Sequence, residues 1–212
     1  MKRKCLAVAI ILLFVGTGII PSMAQDTEKP LPTSRGNWLY VGGSGPGNYT
    51  RIQDAINDAS DGDTVFVYED SSPYYEHNII IDKAINLIGQ EHTTTIIDGN
   101  YSDGDIIIVS ADWVNISGFT IQNSGDWQTY AGIDISSNYN TITGNIILNN
   151  GDGIELHQSH DNTINENTIS SNNEAGLDIA SSNNNTFSMN NILQNGDCGI
   201  LVFNSNLNTI HS

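Results

Sequence analysis

Positive charge is scarce in this 212-residue chain: seven Lys and Arg stand against 24 Asp and Glu, and no Lys or Arg occurs from residue 84 onward. The formal net charge of −17 repels nucleic acid, whose binding proteins draw much of their affinity from cationic contacts to phosphate. A nucleic-acid partner is therefore excluded. Anionic polysaccharides and lipids are disfavoured on the same ground, whereas cations and neutral glycans are not. Cysteine is scarcer still, with Cys5 and Cys198 alone; Cys5 lies in the leader described next, so a disulfide framework is excluded for the remainder. Stability has to come from apolar burial and backbone pairing.

Long apolar runs are also few. Leu6 to Ile20 is the main one, shorter than the roughly 20 residues a membrane-spanning helix needs. It follows the basic stretch Met1 to Lys4 and precedes Ser22-Met-Ala24, a small-x-small cleavage signal, so residues 1–24 read as a secretory signal peptide. Cleavage after Ala24 removes three bases and leaves 4 − 24 = −20. The expected product is a secreted protein without a membrane span, at the cell surface, in the periplasm or outside the cell. Pro30 and Pro32 mark 25–37 as a linker, and 38–212 as one domain.

Repetition, by contrast, is abundant. Gly132-Ile-Asp-Ile135, Gly153-Ile-Glu-Leu156, Gly176-Leu-Asp-Ile179 and Gly199-Ile-Leu-Val202 start 21, 23 and 23 residues apart, and Asn140-Thr-Ile142, Asn162-Thr-Ile164, Asn185-Thr-Phe187 and Asn208-Thr-Ile210 recur every 22, 23 and 23. A fixed period of this length signals a solenoid. Within each phrase apolar and polar residues alternate, the period-2 mark of a strand with one buried face. Residues 146–148, 168–169 and 192–193 supply a third short strand per unit. Three strands per turn, repeated in one direction, must pair in parallel with the next turn about 4.8 Å away. Ile133, Ile154, Leu177 and Ile200 then stack inward, while Asp134, Glu155, Asp178 and Leu201 stack outward. Asn123, Asn149, Asn172 and Asn195 fall at a repeating corner, where their amides are expected to form a ladder.

Regular coils start at about residue 105, and more irregular ones precede them: Val114 to Ile121 aligns with Asn140 to Ile147, and Ile85 to Gly89 with Val114 to Gly118. Gly125 to Tyr130 and Glu91 to Asp105 read as inserted loops, which collect on the binding face of many solenoids. Thr50 and Gln53 have capping-box spacing, and Ile52, Ala55, Ile56 and Ala59 share a stripe, so Thr50–Ala59 is expected to be a helix over the open end of the first coil. The glycine-rich stretch Gly42 to Gly47 lacks a following Lys and reads as a turn. Ser212 ends in an unfinished coil, which suggests a chain that continues, or a partner packed on that end.

The order Leu39-Tyr-Val-Gly-Gly, Tyr49-Thr-Arg-Ile-Gln-Asp-Ala-Ile-Asn, Gly62-Asp-Thr-Val, Tyr74-Tyr-Glu and Ile85-Asn-Leu-Ile-Gly89, followed by Asn-rich coils, resembles the pectin-lyase-like proteins. It is most similar to the NosD-like repeat proteins of archaeal and bacterial surfaces, over about residues 38–212. The resemblance implies an all-β, right-handed parallel β-helix with a short N-terminal capping helix. It also implies two chemistries to weigh, polysaccharide cleavage and a copper-related periplasmic accessory role.

Lyases of that fold use calcium and an Arg or Lys base, and the coils contain no such base. The hydrolase signatures Asn-Thr-Asp, Asp-Asp, His-Gly and Arg-Ile-Lys are absent, so catalytic residues are unknown. A carboxylate-only glycoside hydrolase remains the alternative, because stacked Asp134, Glu155 and Asp178 are spaced like the roughly 5 to 5.5 Å pair of retaining enzymes. The same three are candidates for a calcium-like cation held by hard oxygen ligands. His157 and His160 at one corner are weak copper candidates, since Cu(I) prefers sulfur and Met189 and Cys198 are the soft ligands left once the leader is removed. Trp127, Tyr130 and Tyr139, beside Asn and Asp, suit stacking on sugar rings. Asn48, Asn100, Asn115 and Asn184 head glycosylation sequons. The reading these residues support is a secreted, non-catalytic module that presents an acidic, Asn-rich surface to polysaccharide or to the cell surface.

Overall fold

The computed structural model describes residues 36–125 and 130–211. The signal peptide, nearly all of the linker, Trp127 and Ser212 lie outside the described residues. The chain winds as a right-handed parallel β-helix, with every strand pairing in parallel with its equivalent one coil away. Sheet A has eight strands, from Trp38–Val41 and Thr64–Val67 through Asn86–Gly89, Asn115–Ser117, Thr141–Thr143, Thr163–Asn165 and Thr186–Ser188 to Thr209–His211. Sheet B has six, from Tyr74–Tyr75 to Asn191–Leu193, and sheet C six, from Ile79–Ile81 to Cys198–Phe203. The ladders thus begin at Trp38, well before the regular repeats.

Alternation explains the core. Ile116, Ile142, Ile164 and Phe187 stack inward from sheet A, Ile121, Ile147 and Ile169 from sheet B, and Ile133, Ile154 and Leu177 from sheet C, each at most 1% exposed. A stretch expected to be a loop, Glu91 to Asp105, contains the sheet B strand Ile96–Asp98. Its apolar pair follows three threonines rather than the Asn and Gly that punctuate later coils, which hid it.

The corner ladder needs a correction of one residue in two of its four members. Asn123 and Asn149 adopt left-handed backbone angles, with φ of 61° and 56°, and it is the next residues that turn inward. Ser124 N–H donates to Asn150 Oδ1 (3.0 Å), Asn150 N–H to Asn172 Oδ1 (3.1 Å) and Asn172 N–H to Asn195 Oδ1 (3.0 Å). Each corner uses a left-handed outer residue followed by an inward amide, and in Asn-Asn either could have been the ladder member. Two further inward Asn ladders, Asn140-Asn162-Asn185-Asn208 and Asn145-Asn167-Asn190, are joined by the same backbone-to-side-chain bonds. All three satisfy buried backbone donors where the chain turns and no strand partner is available.

The helix is Ile52–Asp58, packed with Ile52, Ala55 and Ile56 buried and touching sheet A and the first strand of sheet C. Its start is not held by Thr50 and Gln53. Arg51 is the N-cap without a side-chain bond. Instead the Glu76 carboxylate, 5% exposed, accepts Ile52 N–H at 2.7 Å and Gln53 N–H at 3.2 Å. A buried carboxylate at a helix N-terminus satisfies both the orphan donors and the dipole. Glu76→Ala should leave Ile52 N–H unpaired, at about 1 to 3 kcal/mol, and speed amide exchange over residues 52–58 while the later coils stay protected. Unchanged exchange there would show that the helix is held by its apolar face alone.

Candidate binding surface of the solenoid

The outward positions of sheet C hold the acidic column. Asp134 pairs with Glu155 and Glu155 with Asp178, one carboxylate per coil, with Ile108 before the column and Leu201 after it in the same register. Asp105 and Asp152 lie close by and accept the backbone N–H groups of Ala131 and Ala175, at 2.7 and 2.8 Å. Partial burial dominates the electrostatics here. It lifts Asp134 from 3.8 to about 6, with Asp105 adding repulsion and His157 opposing. Glu155 rises from 4.5 to about 7 through burial, then through Asp134, Asp152, Asp178 and Asp105. Asp152 rises to about 6, again mainly through burial. The column stacks as the repeat implied, but its carboxyls are half-buried rather than freely solvated. Among the described residues no three His, Cys, Asp or Glu side chains are grouped to hold a metal ion.

The histidines have a structural explanation. His157 ends the strand Asp152–His157 and is exposed. His160 N–H donates to Asn138 Oδ1 at 2.7 Å, its Nδ1 accepts Asn183 N–H at 3.0 Å, and Asn206 N–H donates to Asn183 Oδ1 at 2.8 Å. His160 thus fills one rung of an otherwise Asn surface ladder, which engages its Nδ1. Met189 is 57% exposed, and Cys198 sits in register with Ala175 at the start of a strand, a position that takes a small residue in both coils.

The aromatic candidates separate. Tyr130 precedes the strand Ala131–Ile135 and Tyr139 follows it, so they lie at opposite ends of one sheet C strand. Tyr130 is anchored through its carbonyl, which accepts Ser124 Oγ at 2.9 Å. Tyr139 instead stacks on Trp113, with centroids 4.6 Å apart and planes 9° from parallel. Sequence reasoning missed Trp113. The step from Trp113 to Tyr139 is 26 residues, equal to the offset between Asn115 and Thr141, which pair, so the coil alignment already contained the signal.

Both rings occupy a corner that is left-handed in each coil from Trp113 onward: Trp113 (φ 65°), Tyr139 (60°), Asp161 (57°), Asn184 (57°) and Leu207 (58°). Asp and Asn tolerate this conformation. A bulky aromatic there carries strain of about 1 kcal/mol or more, so the structure bears a cost to hold two parallel rings at the rim between sheets C and A.

The family described as "Periplasmic copper-binding protein (NosD)" matches residues 44–212. No curated protein and no solved structure matches the chain.

Proposed function

The chain belongs to the NosD family of periplasmic copper-binding proteins, and from that premise we propose that it is a non-catalytic β-helix module that holds carbohydrate at the cell surface or in the periplasm. The family is periplasmic, and no helix among the described residues is long and apolar enough to cross a membrane. No three His, Cys, Asp or Glu side chains are grouped among the described residues, so copper stays with the family's description and is assigned to no residues of this chain. The observation that carries the carbohydrate reading is the Trp113–Tyr139 pair. Its two half-buried rings are stacked face to face and strained into a corner, with Asn138 and Asn115 close by in the chain. A ring face stacks on the apolar C–H face of a sugar, and amides hydrogen-bond the hydroxyls in both senses.

The test is retention on insoluble cellulose, xylan and mannan. Wild type should bind at least one of them, Tyr139→Ala should weaken that binding about tenfold, and Asp134→Asn with Asp178→Asn should leave it unchanged. Retention that is indifferent to Tyr139 and Trp127, or absent from all three polymers, would overturn the reading. A second reading draws on Glu155. A carboxyl at about 7 stacked between two others is poised as a general acid, which favours a glycoside hydrolase. Reducing-end release by wild type that disappears in Glu155→Gln would establish it. The stacking distance adds nothing, because every coil of a parallel β-helix has it.

A further inference from the structure

The outer face of sheet A differs from the rest of the molecule. Two positions on each of its eight strands point outward, and none of them carries Asp, Glu, Lys or Arg, in a chain with 24 acidic residues. At its N-terminal end the first two coils present an aromatic platform. Trp38 is 53% and Tyr40 38% exposed. Tyr40 stacks on Tyr68 with centroids 6.0 Å apart, and Phe66 meets Trp38, Tyr40 and Tyr68 at 6.1, 6.3 and 5.1 Å.

The next coils carry a buried hydroxyl and then two amides in register with Trp38. Thr64, Asn86 and Asn115 continue its column, joined by Asn86 Nδ2 to Thr64 Oγ1 at 3.2 Å and Asn115 Nδ2 to Asn86 Oδ1 at 2.7 Å. Trp113, two residues before Asn115, brings the column to the Trp113–Tyr139 pair. Trp38 and Asn115 are three coils apart, about 14 Å along the axis at about 4.8 Å per coil. The order along the solenoid is therefore aromatic platform, hydrogen-bonded amide row, aromatic pair.

We infer that this uncharged stripe of sheet A is the binding site for an extended neutral oligosaccharide, whose rings stack at Trp38/Tyr40 and at Trp113/Tyr139 and whose hydroxyls bond Asn86 and Asn115 between them. The inference rests on the carbohydrate reading above and adds the site, the ligand's charge class and its direction along the axis. Charge complementarity selects the occupant. A neutral ligand buries no charge against this face, whereas an anionic glycan or nucleic acid meets the field of a molecule of net charge −17. Linked sugars also match the alternation of apolar and hydroxyl-seeking groups, and a single ring cannot reach both ends.

Titration calorimetry of the full chain with cellohexaose, xylohexaose and mannohexaose tests this, with hexagalacturonate as the anionic probe. At least one neutral hexaose should bind, its dimer about tenfold more weakly, and hexagalacturonate not at all. Trp38→Ala and Trp113→Ala should each weaken hexaose binding about tenfold with the melting temperature of the later coils retained, and Asn115→Asp should weaken it as well. Binding lost in Tyr139→Ala yet unaffected by Trp38→Ala and Tyr40→Ala would refute the stripe and leave the module reading standing. Absence of binding to all three neutral hexaoses, or a Trp38→Ala variant altered only in oligomeric state by light scattering, would overturn the stripe outright.

Discussion

Asn167→Ala should lower the melting temperature by about 10 °C, whereas Asn165→Ala, two residues away, should shift it by about 2 °C or less. Asn167 is 1% exposed, and its side chain is the hub of its ladder. Oδ1 accepts Asn145 N–H at 3.0 Å and Asn145 Nδ2 at 3.2 Å. Nδ2 donates to the Ile142 and Asn165 carbonyls at 2.9 and 3.0 Å, and to Asn190 Oδ1 at 3.1 Å. Truncation leaves the Asn145 N–H buried and unmatched, at about 1 to 3 kcal/mol, and removes the Nδ2 bonds to the Ile142 and Asn165 carbonyls, at about 1 kcal/mol each. Summed, about 4 kcal/mol corresponds to about 10 °C at this chain length.

Asn165 points outward from the same strand and serves as the control. Asn167→Asp separates hydrogen bonding from volume. Its ionised carboxylate keeps the acceptor but faces two carbonyl oxygens, so the variant should be far less stable at pH 7 than at pH 4, where a proton restores one donor. Circular dichroism melts read all three. Equal losses in Asn165→Ala and Asn167→Ala would mean that the ladders are ornament and the isoleucine stacks hold the coils alone.

The amide ladders also show what the sequence could and could not disclose. Strand phrases such as Gly-Ile-Asp-Ile carry both periodicity and direction, so the repeat by itself places the inward isoleucines and the outward Asp134, Glu155, Asp178 series in register. Corners obey no alternation. In Asn149-Asn150 the two residues are chemically identical, and only backbone geometry decides which is left-handed and which turns in. The helix cap failed for another reason: the acceptor, Glu76, lies 24 residues beyond Ile52, a contact created by coil closure, whereas the Thr50–Gln53 pattern is local. The aromatic pairing of Trp113 with Tyr139, and that of Trp38 with Phe66, follow from coil steps of irregular length, which show up only once strands such as Asn115–Ser117 and Thr141–Thr143 are set side by side.

Stability should fall as pH rises from about 4 to about 8, against the usual direction for an acidic protein losing paired carboxylates in acid. The folded values of Asp134 and Asp152, about 6, and of Glu155, about 7, lie above the ordinary 3.8 and 4.5. Between those limits the folded state therefore holds more protons than the unfolded chain, and the slope of unfolding free energy with pH is negative. The gain is present in full below the ordinary values and gone above the folded ones. No Lys or Arg lies from residue 84 onward, where these carboxyls are, to reverse this, and His157 only moderates Asp134. A tenfold change in a carboxyl's proton affinity corresponds to about 1.4 kcal/mol, but these side chains remain partly open to water and the full conversion must be discounted, leaving a net drop of about 5 °C between pH 5 and pH 8. Glu155→Gln removes the centre of the column. It should raise the melting temperature at pH 8, leave it nearly unchanged at pH 5, and flatten the profile between. Added salt should narrow the wild-type difference by screening Glu155 from Asp134 and Asp178. A Glu155→Gln variant that melts lower than wild type at pH 8 would show instead that the carboxylate is held by a favourable partner, and the column would then be a source of stability that ionisation supplies.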